Sequence, residues 1–149
     1  MKNSIIKNQA LKQVPMQLLF DEDYRILESS GLSFEEDTQK RYLILRNFPL
    51  KEGLYIFKGD PIETLEVLLK IPSNYNTSGG NMFWTFPKIS RSNGKPIPAY
   101  GGSPINHNRK VYDRWSRHWR GLSWKSKVDN IRKILGRVEW ALKNPDANR

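Results

Sequence analysis

In the last third of the chain, Asp113-Arg114-Trp115-Ser116-Arg117-His118 puts a carboxyl, a hydroxyl, an imidazole and two guanidinium groups within six residues. A serine hydroxyl is a weak nucleophile near neutral pH and attacks only when a base takes its proton. His118, two residues on, is of the type most often used for that task. On a strand, Ser116 and His118 share a face; on a loop, their spacing fixes no distance. His118 therefore has two readings: a proton donor, base or hydrogen-bond post at a site, or a structural residue tying segment 107–124 to the rest. Asp113 is the only carboxylate near it in sequence. Arg114 and Arg117 suit another task, holding a carboxylate by paired hydrogen bonds, with Trp115 adding contact area.

Other chemistries are excluded by what is missing. The chain has no cysteine, so a thiolate nucleophile, a disulfide, a thiolate metal site and an iron–sulfur cluster all fall together. Its two histidines, His107 and His118, are too few for a typical zinc site without carboxylates. His107, between Asn106 and Asn108, reads as an exposed loop residue. Gly79-Gly80 and Gly101-Gly102 lack the strand-to-helix context of a phosphate-binding loop. Neither a cofactor nor a metal is expected.

The net charge of +10 is unevenly spread. Asp21, Glu22, Asp23, Glu28, Glu35, Glu36 and Asp37 make the early region acidic, whereas Arg109 through Lys143 is crowded with cations. That asymmetry favours an acidic partner, whether nucleic acid or an acidic protein face, over a basic face that only aids solubility. Trp84, Trp115, Trp119, Trp124 and Trp140 beside arginines suggest base stacking. Core packing in a small domain explains them better. Arg114, Arg117 and Arg120 recur every third residue and would share one flank of a helix, but Gly121 argues against a helix there.

The elements that must position these groups follow from periodicity. Asp21 is expected to cap a short helix with Glu22 and Asp23 in its first turn, and Gly31 to end it. Short β-rich runs follow at 42–45, 54–57, 65–71 and 82–86, each bounded by Gly, Pro, Asn or Asp. They predict a four-stranded antiparallel meander. Residues 88–106 hold three prolines and three glycines and predict a long irregular loop. Ser126-Lys127-Val128-Asp129 reads as a capping box opening a helix over 127–143. Val128, Ile131, Ile134, Leu135, Val138 and Leu142 mark one face of it, with Ile131, Leu135 and Val138 turned to the sheet. The sum is one α+β domain over 16–145, a polar leader over 1–15 and a tail over 146–149. With no signal-like or membrane-length apolar run, a cytoplasmic protein is expected and no membrane partner.

Helix, strands, long irregular region, helix is also the element order of the ubiquitin-conjugating (UBC) superfamily. Ile71-Pro72-Ser73-Asn74-Tyr75 and Met82-Phe83-Trp84-Thr85-Phe86-Pro87 resemble its third strand, proline-rich turn and fourth strand. Asn93-Gly94-Lys95-Pro96-Ile97-Pro98, then Arg114-Trp115-Ser116-Arg117-His118, then Trp124 ahead of a terminal helix, resemble the cysteine-less prokaryotic family E of that superfamily. The match runs over about residues 18–143, nearly a whole single domain. The His-Pro-Asn tripeptide of working enzymes is absent. The superfamily's usual cysteine-to-tryptophan spacing, counted back from Trp124, lands on Ser116.

What the resemblance implies is a UBC-like protein without thioester chemistry. In bacteria such proteins are expected beside an activating (adenylating) enzyme, ubiquitin-like protein domains and a JAB-type metallopeptidase, often in antiviral defence. Three functions follow. One is a non-catalytic UBC-like pseudoenzyme that binds a ubiquitin-like protein or its activating enzyme. Another is an unusual conjugating enzyme using Ser116 and His118. The last is a basic nucleic-acid-binding domain. In the first, Arg114, Trp115, Arg117 and His118 are expected to flank a groove with the 88–106 loop and hold a partner's tail.

Overall fold

The computed structural model describes residues 17–119 and 121–147; the leader expected over 1–15 lies outside them. The first helix, α1, spans Asp21–Ser29. Its N-cap is Phe20 and not Asp21, because the Asp23 carboxylate reaches back to accept from the Phe20 N–H at 2.9 Å. Asp21, Glu22 and Asp23 fill the first turn, where carboxylates meet the positive end of the helix dipole. Ser30 caps the far end and Gly31 follows at φ +78°, a left-handed position that glycine takes without steric cost.

Among the described residues nine strands follow in chain order: β1 Phe34–Asp37, β2 Tyr42–Pro49, β3 Tyr55–Phe57, β4 Asp60–Pro61, β5 Thr64–Lys70, β6 Phe83–Phe86, β7 Ser90–Arg91, β8 Ile105–His107 and β9 Lys110–Trp115. The chain then closes with helix α2, Ile131–Lys143. The main sheet has six strands in the order β1-β2-β5-β6-β9-β8, and β4-β3-β7 form a small second sheet. All the pairings are antiparallel.

The fold is thus α+β, but the four-stranded meander is corrected. The run at 54–57 leaves the main sheet, and β2 pairs directly with β5. Tyr55 accounts for the diversion: its side chain is buried and its hydroxyl donates to the Leu142 carbonyl at 2.6 Å, pinning β3 over the end of α2. Strands β1, β8 and β9 extend the sheet on either side. The irregular stretch is also shorter than 88–106, since it contains β7 and runs into β8.

Alternation along the strands defines the core. Leu43, Leu45, Val67, Leu69, Phe83 and Trp115 pack on one sheet face with Leu27 of α1 and with Ile131, Ile134, Val138, Ala141 and Leu142 of α2. Each fully buried aliphatic or aromatic side chain contributes about 1.5–3 kcal/mol. Ile131 and Val138 point inward as predicted, and Leu135 is half-buried at the margin. The opposite sheet face holds a smaller cluster of Ile44, Leu68, Trp84 and Tyr112, covered where the Trp84 indole N–H donates to Ser103 O at 3.0 Å.

The start of α2 also differs from the expected capping box. Asn130 is the N-cap, and its side-chain oxygen accepts from Arg132 N at 2.9 Å. Lys127 sits at φ +62° and Val128 is 71% exposed, so these residues form a turn ahead of the helix. The Asp129 carboxylate accepts from Lys125 N at 2.7 Å and closes that turn.

Candidate functional site

The 113–119 segment begins as the end of β9 and leaves the sheet at Ser116. Strand alternation decides where its side chains go. Asp113 and Trp115 face the helices opposite Thr85 and Phe83, while Arg114 faces the other way opposite Trp84.

Trp115 is fully buried. Its ring stacks on Phe83 with 5.3 Å between centroids, and its indole N–H donates to Thr85 Oγ1 at 2.8 Å. Arg117 is also inside, 2% exposed. Its guanidinium donates to the carbonyls of Pro98 (3.1 Å), Ser116 (2.8 Å) and Pro145 (3.3 Å), and sits 5.0 Å from the Trp115 ring centroid. Burial lowers its pKa from the usual arginine value. The expected surface roles of Trp115 and Arg117 are therefore corrected: one is core, the other joins three stretches of backbone. Of the four residues expected to flank a groove, the half-buried Arg114 and the exposed His118 remain accessible.

Ser116 is half-buried, and its backbone N–H donates to Ala99 O at 3.0 Å. Among the described residues no hydrogen bond joins Ser116 to His118. Asp113, the carboxylate nearest to His118 in sequence, is 3% exposed and accepts from Lys88 Nζ at 3.2 Å. The hydroxyl, the imidazole and the carboxyl thus serve three different surroundings. His107 is buried, not a loop-surface residue: it meets the Tyr42 ring edge-on with 5.4 Å between centroids. Among the described residues there is no group of three or more His, Asp or Glu that could hold a metal ion.

The tryptophans follow the core reading except for Trp140. Trp84, Trp115 and Trp119 are buried and Trp124 half-buried, while Trp140 is 37% exposed. Arg137 of α2 unites two of them, its guanidinium lying 5.4 Å from the Trp119 centroid and 5.7 Å from that of Trp124. It also donates to the carbonyls of Leu122 and Gly80. Nothing in the sequence distinguishes this buried arginine from the exposed cations around it.

A cleft of about 360 Å³ lies along the 88–106 stretch, lined by Ile89, Ser90, Arg91, Lys95, Ile97 and Tyr100, and none of Arg114, Trp115, Arg117 and His118 is among its lining residues. Arg91 is its missed residue. It is 6% exposed and grips Asp146 with two hydrogen bonds, of 2.7 and 3.2 Å. Asp146 therefore lies against the body of the domain although it falls in the expected tail. The phenol of Tyr100 accepts from Ile89 N at 3.0 Å, and burial pushes its pKa up to about 12.

The hydrogen bonds from Arg91 hold the Asp146 carboxyl below the ordinary aspartate range. A folded-state pKa lower than the unfolded one means stability that is present above about pH 4 and lost as pH falls through the folded value. Asp146→Asn should therefore flatten the acid limb of a stability-versus-pH curve measured by denaturant titration. An unchanged acid limb would show that the pair contributes nothing to folding.

No helix among the described residues is long and apolar enough to cross a membrane. In comparison with known proteins, the family model for prokaryotic E2 family E matches residues 19–145. No curated protein and no solved structure matches the chain.

Proposed function

We propose, from the premise that this chain belongs to prokaryotic E2 family E, that it is a UBC-like, non-catalytic component of a bacterial ubiquitin-like protein pathway. Its task is to bind a ubiquitin-like protein or the enzyme that activates one. The observation that carries this reading is the condition of the segment where the superfamily keeps its thiol. The chain has no cysteine, and the hydroxyl at Ser116 has no hydrogen bond to His118, while Asp113 is engaged by Lys88. An unassisted serine hydroxyl does not compete with a thiol as an acyl carrier.

The binding half of the reading is supported by the cleft. Arg91 already holds a carboxylate there, that of Asp146, so its planar fork is matched to such a group. In this reading a partner's tail lies along the cleft, and the accessible Arg114 and His118 are candidate contacts outside its lining. A JAB-type metallopeptidase as neighbour and a role in antiviral defence belong to the same proposal.

The test is to incubate the protein with an activating enzyme and ubiquitin-like protein from a bacterial pathway of this type, plus ATP, and to analyse the mixture by mass spectrometry. The expected result is a reversible complex and no covalent adduct. An adduct that resists reductant but is lost in Ser116→Ala or in mild alkali would overturn the non-catalytic reading. Salt-steep binding to DNA or RNA with no affinity for either protein would overturn the whole of it.

A further inference from the structure

The outer face of α2 carries features that the core does not explain. On one side of the helix a groove of about 520 Å³ is lined by Leu122, Val128, Arg132, Lys133, Gly136 and Trp140. On the other side a second, of about 330 Å³, shares Arg132 and Gly136 and continues to Leu32, Pro49 and Leu135. Val128 and Trp140 are two of the four large apolar side chains exposed among the described residues.

Gly136 lies between the two grooves, and a Cβ built on it meets nothing within 4 Å. Glycine is the weakest helix former after proline. Inside the protein it makes no close approach that would require it, unlike Gly79, whose Cβ would strike the Trp124 ring at 2.4 Å. A side-chain-free notch flanked by two grooves is the shape that lets a second helix cross closely, its ridges entering the grooves on either side.

We infer that this face is a docking surface for an acidic amphipathic helix of a partner protein. Charge selects that occupant. Arg132 is exposed at the notch, with Lys125 and Lys127 close by along the chain, and the one carboxylate lining the larger groove, Asp129, is half-buried and lies 3.9 Å from Lys133. In the smaller groove Glu139 is paired with Lys143 at 3.1 Å. A second copy of this chain presenting the same face would bring like charge onto like charge. The leader at 1–15 holds Lys2, Lys7 and Lys12 and no acidic residue, so it is no better matched. Val128, Leu135 and Trp140 supply the apolar half of the contact, a role nucleic acid would not use. The inference concerns a surface apart from the cleft and does not depend on the pathway proposed above.

The probe is a fluorescein-labelled synthetic peptide of about 18 residues, long enough to hold a helix, with Leu at positions i, i+3, i+4 and i+7 and Glu at most others. Its controls replace Glu by Lys or Leu by Ser, and a labelled DNA duplex tests the nucleic-acid alternative. The acidic peptide should bind the full chain, measured by fluorescence anisotropy, and both control peptides should bind at least about tenfold more weakly, a ratio equal to one strong contact. Gly136→Leu, which fills the notch, and Trp140→Ala should each weaken binding by about tenfold or more while melting close to wild type. Gly136→Ala should melt a few degrees higher, about the shift expected for removing a helix glycine. Peptide binding that ignores Gly136→Leu and Trp140→Ala would overturn the inference. So would equal binding of the Lys-substituted peptide, DNA binding that these variants abolish, or no binding at all.

Discussion

Asp23→Ala is expected to destabilise the protein by about 3 kcal/mol, the cost of leaving several buried donors without an acceptor. Asp23 is 1% exposed, and two of the groups that it joins lie 52 and 108 residues away in the chain. One carboxylate oxygen accepts from the Tyr75 hydroxyl at 2.8 Å and from Ile131 N at 2.9 Å; the other accepts from Phe20 N at 2.9 Å. A single side chain thereby ties the first turn of α1, the turn after β5 and the first turn of α2. Burial, reinforced by the hydrogen bond to Asp23, raises the Tyr75 pKa and keeps the phenol a donor. For a chain of this size the loss corresponds to a melting temperature lower by about 6–12 °C. Tyr75→Phe removes one of the three bonds and should cost about 1 kcal/mol. Denaturant titration of both variants checks the ordering. A loss under about 1 kcal/mol for Asp23→Ala would mean that the three elements are held together by apolar packing alone.

Trp115→Ala should cost more still, about 3–5 kcal/mol, by cavity formation at a fully buried aromatic of the core. The ring touches Phe83, Tyr55 and Tyr100, and its loss leaves Thr85 Oγ1 without its donor. With total stabilities of about 5–15 kcal/mol for domains in general, that is a large fraction. His118→Ala, three residues on and exposed, should change stability by no more than about 0.5 kcal/mol. The pair separates core from surface within one short string. If Trp115→Ala folds with wild-type stability and loses only partner binding, the ring belongs to an interface and the burial argument fails. If His118→Ala unfolds readily, the imidazole has a structural partner.

The unequal legibility of the strands has a local cause. β8 and β9 are joined by Asn108 and Arg109, both at positive φ (49° and 65°), the geometry of a two-residue hairpin turn that usually announces itself with glycine. With arginine in the second place the signal is weak, and without it the sequence around His107 has the character of a loop. Lys58-Gly59, with φ of 51° and 87°, makes the same kind of turn between β3 and β4. There the glycine was visible, but it marked the edge of an excursion and not of the main sheet. The sequence marks the ends of short strands, and pairing is chosen by contacts far apart in the chain, such as the bond from Tyr55 to Leu142.

The candidate site divides along the same line. The absence of a thiol is a matter of composition and needs no structure, and the 3.6-residue and two-residue periods alone specify an α+β domain with α2 against a sheet. Family membership was legible too, in the aromatic strand and the Arg-Trp-Ser-Arg-His string. What those residues do was not. Arg91, Arg117 and Arg137 are buried against carbonyls or a carboxylate, whereas Arg132 lies in the open. All four look alike in sequence, because a guanidinium is buried only where backbone oxygens from distant segments converge to replace its water. That convergence exists only once the chain has folded, so the tertiary structure alone decided which cations are internal braces and which lie exposed at the surface.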